Sequence, residues 1–329
     1  MSDKRMILNI AAYLFVPIED ADALAQRLRE RAEADGLRGT MLVTPEGLNL
    51  FLAAGETPLR AFLAWLREDP RFAALHAKES WSEAVPFARL KVKRKAEIIT
   101  FRREQASPLE AGERAPAVAP KTLARWIEQG HDDAGRRLVL LDTRNRQEIA
   151  YGTFAGALTL PIDRFTDLPA ALAPHRESLR DATVVSFCTG GIRCEKAALW
   201  LREDGMDNVL QLDDGILGYF EQVGGAGYDG GCFVFDERVA LDSRLQPMAL
   251  RPGRSAHELD RNPASGRGDL CRDQGGGCLA QDCAVGRHPR VRVVVLRADD
   301  RRSVSILRPA QLPSADPAAC PLAQAHWKL

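Results

Sequence analysis

The chain has 329 residues, 45% of them hydrophobic and 27% charged, enough for two ordinary globular domains that fold without covalent staples. No apolar run approaches the ~20 residues that cross a bilayer, and the opening MSDKRMILNIAAYLFVP carries no leader-like cleavage pattern, so the expectation is a cytoplasmic protein with no membrane association. A formal charge of zero excludes a global case for nucleic-acid binding, but it is unevenly built: 15 basic against 14 acidic side chains in residues 1–101, 16 against 23 in 102–242, and 14 against 8 in 243–329.

Residues 7–16, ILNIAAYLFV, read as a strand, and Asp20 or Asp22 is placed to cap the amphipathic helix ADALAQRLRERAEADG, which Gly36 ends. LRGTMLVTPEGLNLFLAA follows as two apolar runs about the turn PEG, a hairpin signal. In TPLRAFLAWLRED, Thr57 is the expected N-cap with Pro58 at the first helical position. Residues 75–101 hold one or two further strands, ending in ARLKVKRKAEIITF. The order β-α-β-β-α-β is the ferredoxin-like, α+β arrangement, and it is assigned to residues 1–101.

Residues 102–120, RREQASPLEAGERAPAVAP, lack periodicity and carry three prolines, which suits a linker. A second domain, 121–242, follows as a helix near 121–129, the strand RLVLLDTR, a short strand in GALTLP, a helical region near 167–179, the strand ATVVSF, a helix from about 194 to 204, and the strand in NVLQLDDGI. Alternating strands and helices imply a parallel sheet in an α/β sandwich, and the unbroken apolar runs LVLL and TVVSF fit strands covered on both faces. Residues 243–329 form an extension rich in Arg, Gly and Pro, expected to be poorly ordered apart from a hairpin in VRVVVLRADDRRSVSIL.

All seven cysteines lie beyond residue 187, and their odd number and irregular spacing make free thiols the default. Cys188 stands out. The stretch Cys188-Thr189-Gly190-Gly191-Ile192-Arg193 joins a buried strand to a helix N-terminus, where backbone N–H groups, the helix dipole and a guanidinium all favour a thiolate. Gly190 and Gly191 permit the tight, positive-φ curl that such a loop needs. A structural cysteine buried beside a glycine turn is the bland alternative, but the strand-loop-helix context with a closing arginine favours an activated thiol in an anion-shaped pocket. Such a pocket suits persulfide chemistry, the loop holding a terminal sulfur anion.

The segments LLDTRNRQEI, GALTLPIDRF, VVSFCTGGIRCEKAALWL and VLQLDDGILGYF together resemble the rhodanese domain. With GLNLFLA, KESWSEAVPF, KVKRKAEII and CFVFDERVAL added, residues 6–242 resemble the bacterial rhodanese-related tRNA uridine hydroxylases. That resemblance implies oxygen-dependent hydroxylation of carbon 5 of the wobble uridine, with Cys188 catalytic, molecular oxygen as co-substrate and the anticodon region of tRNA as partner. No cofactor is identified from the sequence. A sulfurtransferase passing sulfane sulfur between a donor and an acceptor through Cys188 is the alternative, and a catalytically idle RNA-binding scaffold a third. The basic N-terminal module favours the hydroxylase, and the intact loop opposes the scaffold. The related phosphatases use a longer loop, which disfavours phosphate hydrolysis.

Supporting roles follow from position. Arg193 is expected to close the loop and favour its negative charge, against the alternative of a surface ion pair. Asp142 and Arg144, just past a buried strand, are placed either to ion-pair with the loop or to meet substrate. Cys194 is a candidate resolving thiol, although a helix cysteine packed inward is the plainer state. Arg89, Lys91, Lys93 and Lys95 recur at period two and would form a basic stripe able to meet tRNA phosphates, or an edge strand protected by lysines. Trp81 and Phe87 lie near enough to stack on a splayed base, with a core role as the alternative. Cys271, Cys278 and Cys283, with His288 nearby, have gaps of six and four residues, which do not match the close pairs of zinc sites, so no metal is assigned.

Overall fold

The computed structural model describes residues 6–248. The hairpin expected in the extension and the Cys271, Cys278, Cys283 and His288 set lie outside the described residues.

The first half contains β1 (Ile7–Phe15), α1 (Ala21–Ala34), β2 (Arg38–Thr44), β3 (Gly47–Gly55), α2 (Glu56–Arg67), β4 (Ala77–Ser82) and β5 (Leu90–Arg94). The sheet order is β4-β1-β3-β2-β5, the ferredoxin-like sheet with β5 added parallel to β2 at one edge. Strand alternation decides which face meets the helices. Leu8, Ile10, Ala12, Leu48, Leu50 and Leu52 point to one face and bury against Leu24 and Leu28 of α1 and Leu59 and Phe62 of α2. The intervening positions form a second face: Tyr13 pairs with Asn49 across the β1–β3 ladder, while Ala11 pairs with Phe51 on one side and Lys78 on the other.

Two capping expectations need correction. Asp20 is the N-cap residue of α1 by position, yet its carboxylate makes no cap bond and instead accepts from Arg71 at 2.5 Å, because a guanidinium outcompetes a backbone amide. In α2 the helix begins at Glu56 with Gly55 as the cap, so Thr57 and Pro58 already lie inside the first turn.

Residues 102–120, read as a linker, hold a single 3-10 turn at 104–106, α3 (Pro108–Ala111) and β6 (Ala117–Val118). Beyond come α4 (Pro120–Gln129), β7 (Leu138–Asp142), α5 (Arg146–Ile149), β8 (Gly152–Phe154), β9 (Leu158–Thr159), α6 (Leu168–Leu172), α7 (Arg176–Leu179), β10 (Thr183–Phe187), α8 (Ile192–Glu203), β11 (Val209–Leu212), α9 (Gly215–Val223), β12 (Tyr228–Gly230), β13 (Cys232–Phe233) and β14 (Ala240–Leu241). The sheet runs β6-β11-β10-β7-β9, all parallel, so β6 anchors the connecting segment to the second domain. Every residue of β10 is buried, and its neighbours in sequence serve opposite faces: Val184 joins the core under α6, α7 and α8, while Val185 and Phe187 join the core under α4 and α9. That explains why TVVSF shows no polar alternation.

No helix among the described residues is long and apolar enough to cross a membrane.

Candidate active site

The loop after β10 is shorter than its sequence suggested. Gly191 sits in the left-handed region (φ 99°) as the N-cap of α8, so Ile192 and Arg193 are already helical. Gly190, expected to share that conformation, is not among the positive-φ residues; it lines the opening beside the sulfur, and a Cβ there would meet nothing within 4 Å.

Carbonyls and amides of the loop face opposite ways. The carbonyls of Cys188 and Thr189 accept from the amides of Ile216 (2.9 Å) and Leu217 (3.0 Å) in the first turn of α9. Gly215 permits this approach: its φ is 64°, and a Cβ there would lie 2.6 Å from both the Cys188 oxygen and the Gly191 nitrogen. With the oxygens turned toward α9, the Gly191 amide donates to Cys188 Sγ at 3.2 Å, and the Arg193 amide adds to the stabilisation of its charged form.

Cys188 has no exposed surface. Burial alone would raise its pKa, but a hydrogen bond from the Cys194 thiol, the Arg193 charge and the two backbone amides outweigh it and bring the thiol down to about 5. The Cys194 thiol moves the other way, raised by burial and by its bond to Cys188; Thr143 Oγ1, 3.6 Å from Cys194 Sγ, also bonds the Phe187 carbonyl at 3.0 Å. One negative charge is thus held between two sulfurs. Cys232, buried elsewhere in this domain, is pushed up to about 12 by burial and is not activated.

Arg193 makes neither a surface ion pair nor a side-chain bond to the sulfur. The residue is 5% exposed, and its guanidinium grips Glu148 of α5 through two bonds of 2.6 Å, acting on Cys188 through its charge. Burial would raise the Glu148 carboxyl, but Arg193 holds it below the usual carboxylate range, and Thr189 Oγ1 reaches it at 3.4 Å. Glu148 was missed in the sequence, though Asn145-x-x-Glu148 is a readable capping box: Glu148 accepts from the Asn145 amide at 3.1 Å.

Asp142 and Arg144 are fully buried and pair with each other, Nη2 to Oδ2 at 2.6 Å, while Arg144 also bonds the Gly152 carbonyl and the Tyr228 hydroxyl. Burial opposes the Arg144 charge and Asp142 more than offsets it. The pair ties β7 to β8 and β12 and makes no ion pair to the cysteine loop.

The second face of the N-terminal sheet roofs the loop. Tyr13, Asn49, Phe51 and Lys78 line, with Cys188, Thr189, Gly190, Ile192 and Arg193, a recess of about 40 Å³. Lys78 Nζ lies 2.7 Å from Asp214 Oδ1 and 5.3 Å from the centre of the Tyr13 ring. None of these roof residues was singled out in the sequence, since nothing local tells which face of β1, β3 and β4 would cover a loop more than about a hundred residues on; the alternation only separates the two faces.

The basic stripe lies elsewhere. Lys91 and Lys93 belong to β5, with Arg89 and Lys95 flanking it, and β5 is the edge strand two places from β3. Burial first, then the charges of Lys91, Lys95 and Arg89, lower the Lys93 pKa, so the four cations share one field. Trp81 packs against the N-terminal core, and Phe87 is half-buried.

An activated thiol at the carboxyl edge of a parallel sheet, in a strand-loop-helix turn, defines a rhodanese-type protein with an added ferredoxin-like domain. The family models agree: the UPF0176 acylphosphatase like domain matches residues 7–98 and the Rhodanese-like domain residues 119–222. Two curated proteins named tRNA uridine(34) hydroxylase, from Xanthomonas campestris pv. campestris (strain 8004) and Xylella fastidiosa (strain M23), are 65% and 63% identical over 243 residues, covering 74% of this chain and 95% and 94% of theirs. Among solved structures, a rhodanese-like domain from Anabaena sp. is 21% identical, covering 35% of this chain and 79% of that one with a TM-score of 0.29. The chain belongs to the tRNA uridine(34) hydroxylase family.

Proposed function

We propose that this protein is a tRNA-modifying oxidoreductase of the cytoplasm that places a hydroxyl on carbon 5 of uridine 34, with molecular oxygen as co-substrate and Cys188 as the catalytic thiolate. The observation that carries the reading is the 65% identity to a tRNA uridine(34) hydroxylase across both domains and 95% of its length. The depressed thiol supports the role of Cys188: a thiolate is the nucleophile that adds to carbon 6 of a uracil ring and leaves carbon 5 electron-rich; once carbon 5 has taken one oxygen atom, with a two-electron reductant carrying the other to water, the thiolate departs by elimination with loss of the carbon 5 proton, which restores the ring double bond. Cys194, hydrogen-bonded to it, is the thiol positioned to capture an oxidised Cys188 as a disulfide. Arg89, Lys91, Lys93 and Lys95 are assigned to the tRNA phosphates, outside the recess.

Sulfur transfer through a Cys188 persulfide, with its donor and acceptor, is the lesser reading, because the likeness to hydroxylases extends over the N-terminal domain as well as the rhodanese-like one. The test is nucleoside mass spectrometry of bulk tRNA from a deletion strain carrying wild type or Cys188→Ser. Restoration of 5-hydroxyuridine derivatives by wild type alone is expected; restoration by both variants overturns the assignment of Cys188, and derivatives unchanged by the deletion, with no second pathway present, overturn the function.

A further inference from the structure

The second face of the N-terminal sheet carries two asparagines with opposite fates. Asn9 donates from Nδ2 to the Ser80 carbonyl (3.3 Å) and Ser82 Oγ (2.9 Å), cross-strand neighbours that hold it in place, while its Oδ1 is buried without a partner. Asn49 is 7% exposed and lines the recess over Cys188, and its side chain makes no hydrogen bond to any described residue. Its orientation follows from register: Leu48 and Leu50 fill the core below, and Asn49 stands beside Tyr13 on the other face. Unlike the buried Asn9 Oδ1, the Asn49 amide reaches solvent in the recess, so a ligand seated there would find a donor and an acceptor that no protein group has taken.

An amide offers one acceptor and two donors side by side, which matches the adjacent N3–H donor and O4 acceptor of uracil. Lys78, fixed by Asp214, adds positive charge to the same recess. That charge favours the carbonyl edge of uracil and opposes the exocyclic amine that cytosine presents at the same position. We propose that Asn49, with Lys78 beside it, reads the N3–O4 edge of the target base, making the N-terminal domain the base-selecting half of the site. The proposal rests on the hydroxylase reading above and names the substrate group that reading leaves unassigned. The recess of about 40 Å³ has room for roughly three water molecules and not for a pyrimidine ring, so base reading requires the sheet face and the loop to part.

The test uses the full chain and anticodon stem-loop RNAs carrying uridine or 4-thiouridine at position 34, the sulfur being a poor acceptor. Hydroxylation is followed as kcat and KM for wild type, Asn49→Leu and the smaller Asn49→Ser, with circular dichroism and the Cys188 titration as controls on folding. Wild type is expected to prefer uridine over 4-thiouridine by roughly tenfold, and Asn49→Leu to lose roughly tenfold to hundredfold in kcat/KM on uridine and to show no preference between the two. A folded Asn49→Leu or Asn49→Ser that keeps the wild-type kcat/KM and preference overturns the role of Asn49 alone. A wild-type protein that leaves uridine 34 untouched overturns the hydroxylase reading, and the proposal with it.

Discussion

Replacing Cys194 with alanine should raise the pKa of Cys188. Among the forces that lower that pKa to about 5, the thiol-to-sulfur hydrogen bond from Cys194 comes first, ahead of the Arg193 charge and the backbone amides of Arg193 and Gly191. A hydrogen bond to a charged group contributes about 1.5 to 3 kcal/mol, and 1.36 kcal/mol is one pKa unit, so its loss moves the midpoint up by roughly one to two units. Wild type is then almost fully thiolate at neutral pH, and the variant only partly. The assay is the ultraviolet thiolate absorbance as a function of pH, with the Cys188→Ser trace subtracted to remove the other cysteines. A midpoint unmoved or lowered in Cys194→Ala would refute the account of how the charge is held. The same thiol leaves a signature in stability. Because the folded pKa lies below the unfolded value of about 8.5, the contribution of Cys188 is whole above that value and is lost as pH falls through about 5. Denaturant unfolding of wild type should therefore weaken over this window relative to Cys188→Ser.

Gly215→Ala should displace the loop, since the new methyl group would lie 2.6 Å from backbone atoms of Cys188 and Gly191 at a left-handed φ; a loss of more than about 3 kcal/mol in urea unfolding, or loss of the neutral-pH thiolate signal, is expected, and wild-type values of both would contradict the packing described. Glu148→Ala strands a buried guanidinium and should cost about 3 to 5 kcal/mol, whereas joint replacement of Glu148 and Arg193 by leucine and methionine should cost much less in unfolding experiments. Exchanging Lys91 and Lys93 for glutamine should weaken tRNA binding about equally for all sequences and flatten the log-log salt dependence by about one unit for each phosphate set free, while a salt slope equal to wild type would place the tRNA elsewhere.

The sequence made the architecture legible wherever local rules decide it. TVVSF announced a strand covered on both faces, and the apolar runs about the turn PEG announced the β2–β3 hairpin, because each pattern is written into consecutive residues. The thiol was legible for the same reason: Cys188, its glycines and Arg193 are contiguous. What was hidden depends on distant partners. Arg193 could be read as a loop cation but not as the partner of Glu148, 45 residues away; Asp142 and Arg144 could be read as charges at the sheet edge but not as partners of each other, of β8 and of β12. Asp20 kept its place at the start of α1, but its carboxylate is drawn off the helix by Arg71, 51 residues on. The helix α9 had no marked periodicity to announce it, yet its first turn holds the carbonyls of the cysteine loop.

The helix α8 is buried from Ile192 to Leu201 although it carries Arg193, Glu195 and Lys196. Each charge is answered from a different part of the chain: Glu148 on α5, Arg114 in the connecting segment, and Glu46 with Glu97 in the N-terminal domain, the last two at 2.7 and 2.9 Å from Lys196 Nζ. Severing the protein between its halves would therefore take away every hydrogen-bond partner that the Lys196 ammonium has among the described residues and strip Tyr13, Asn49 and Lys78 from above the sulfur. The two matched domains behave as a lock and its backplate: neither can be borrowed for another protein without rebuilding the other.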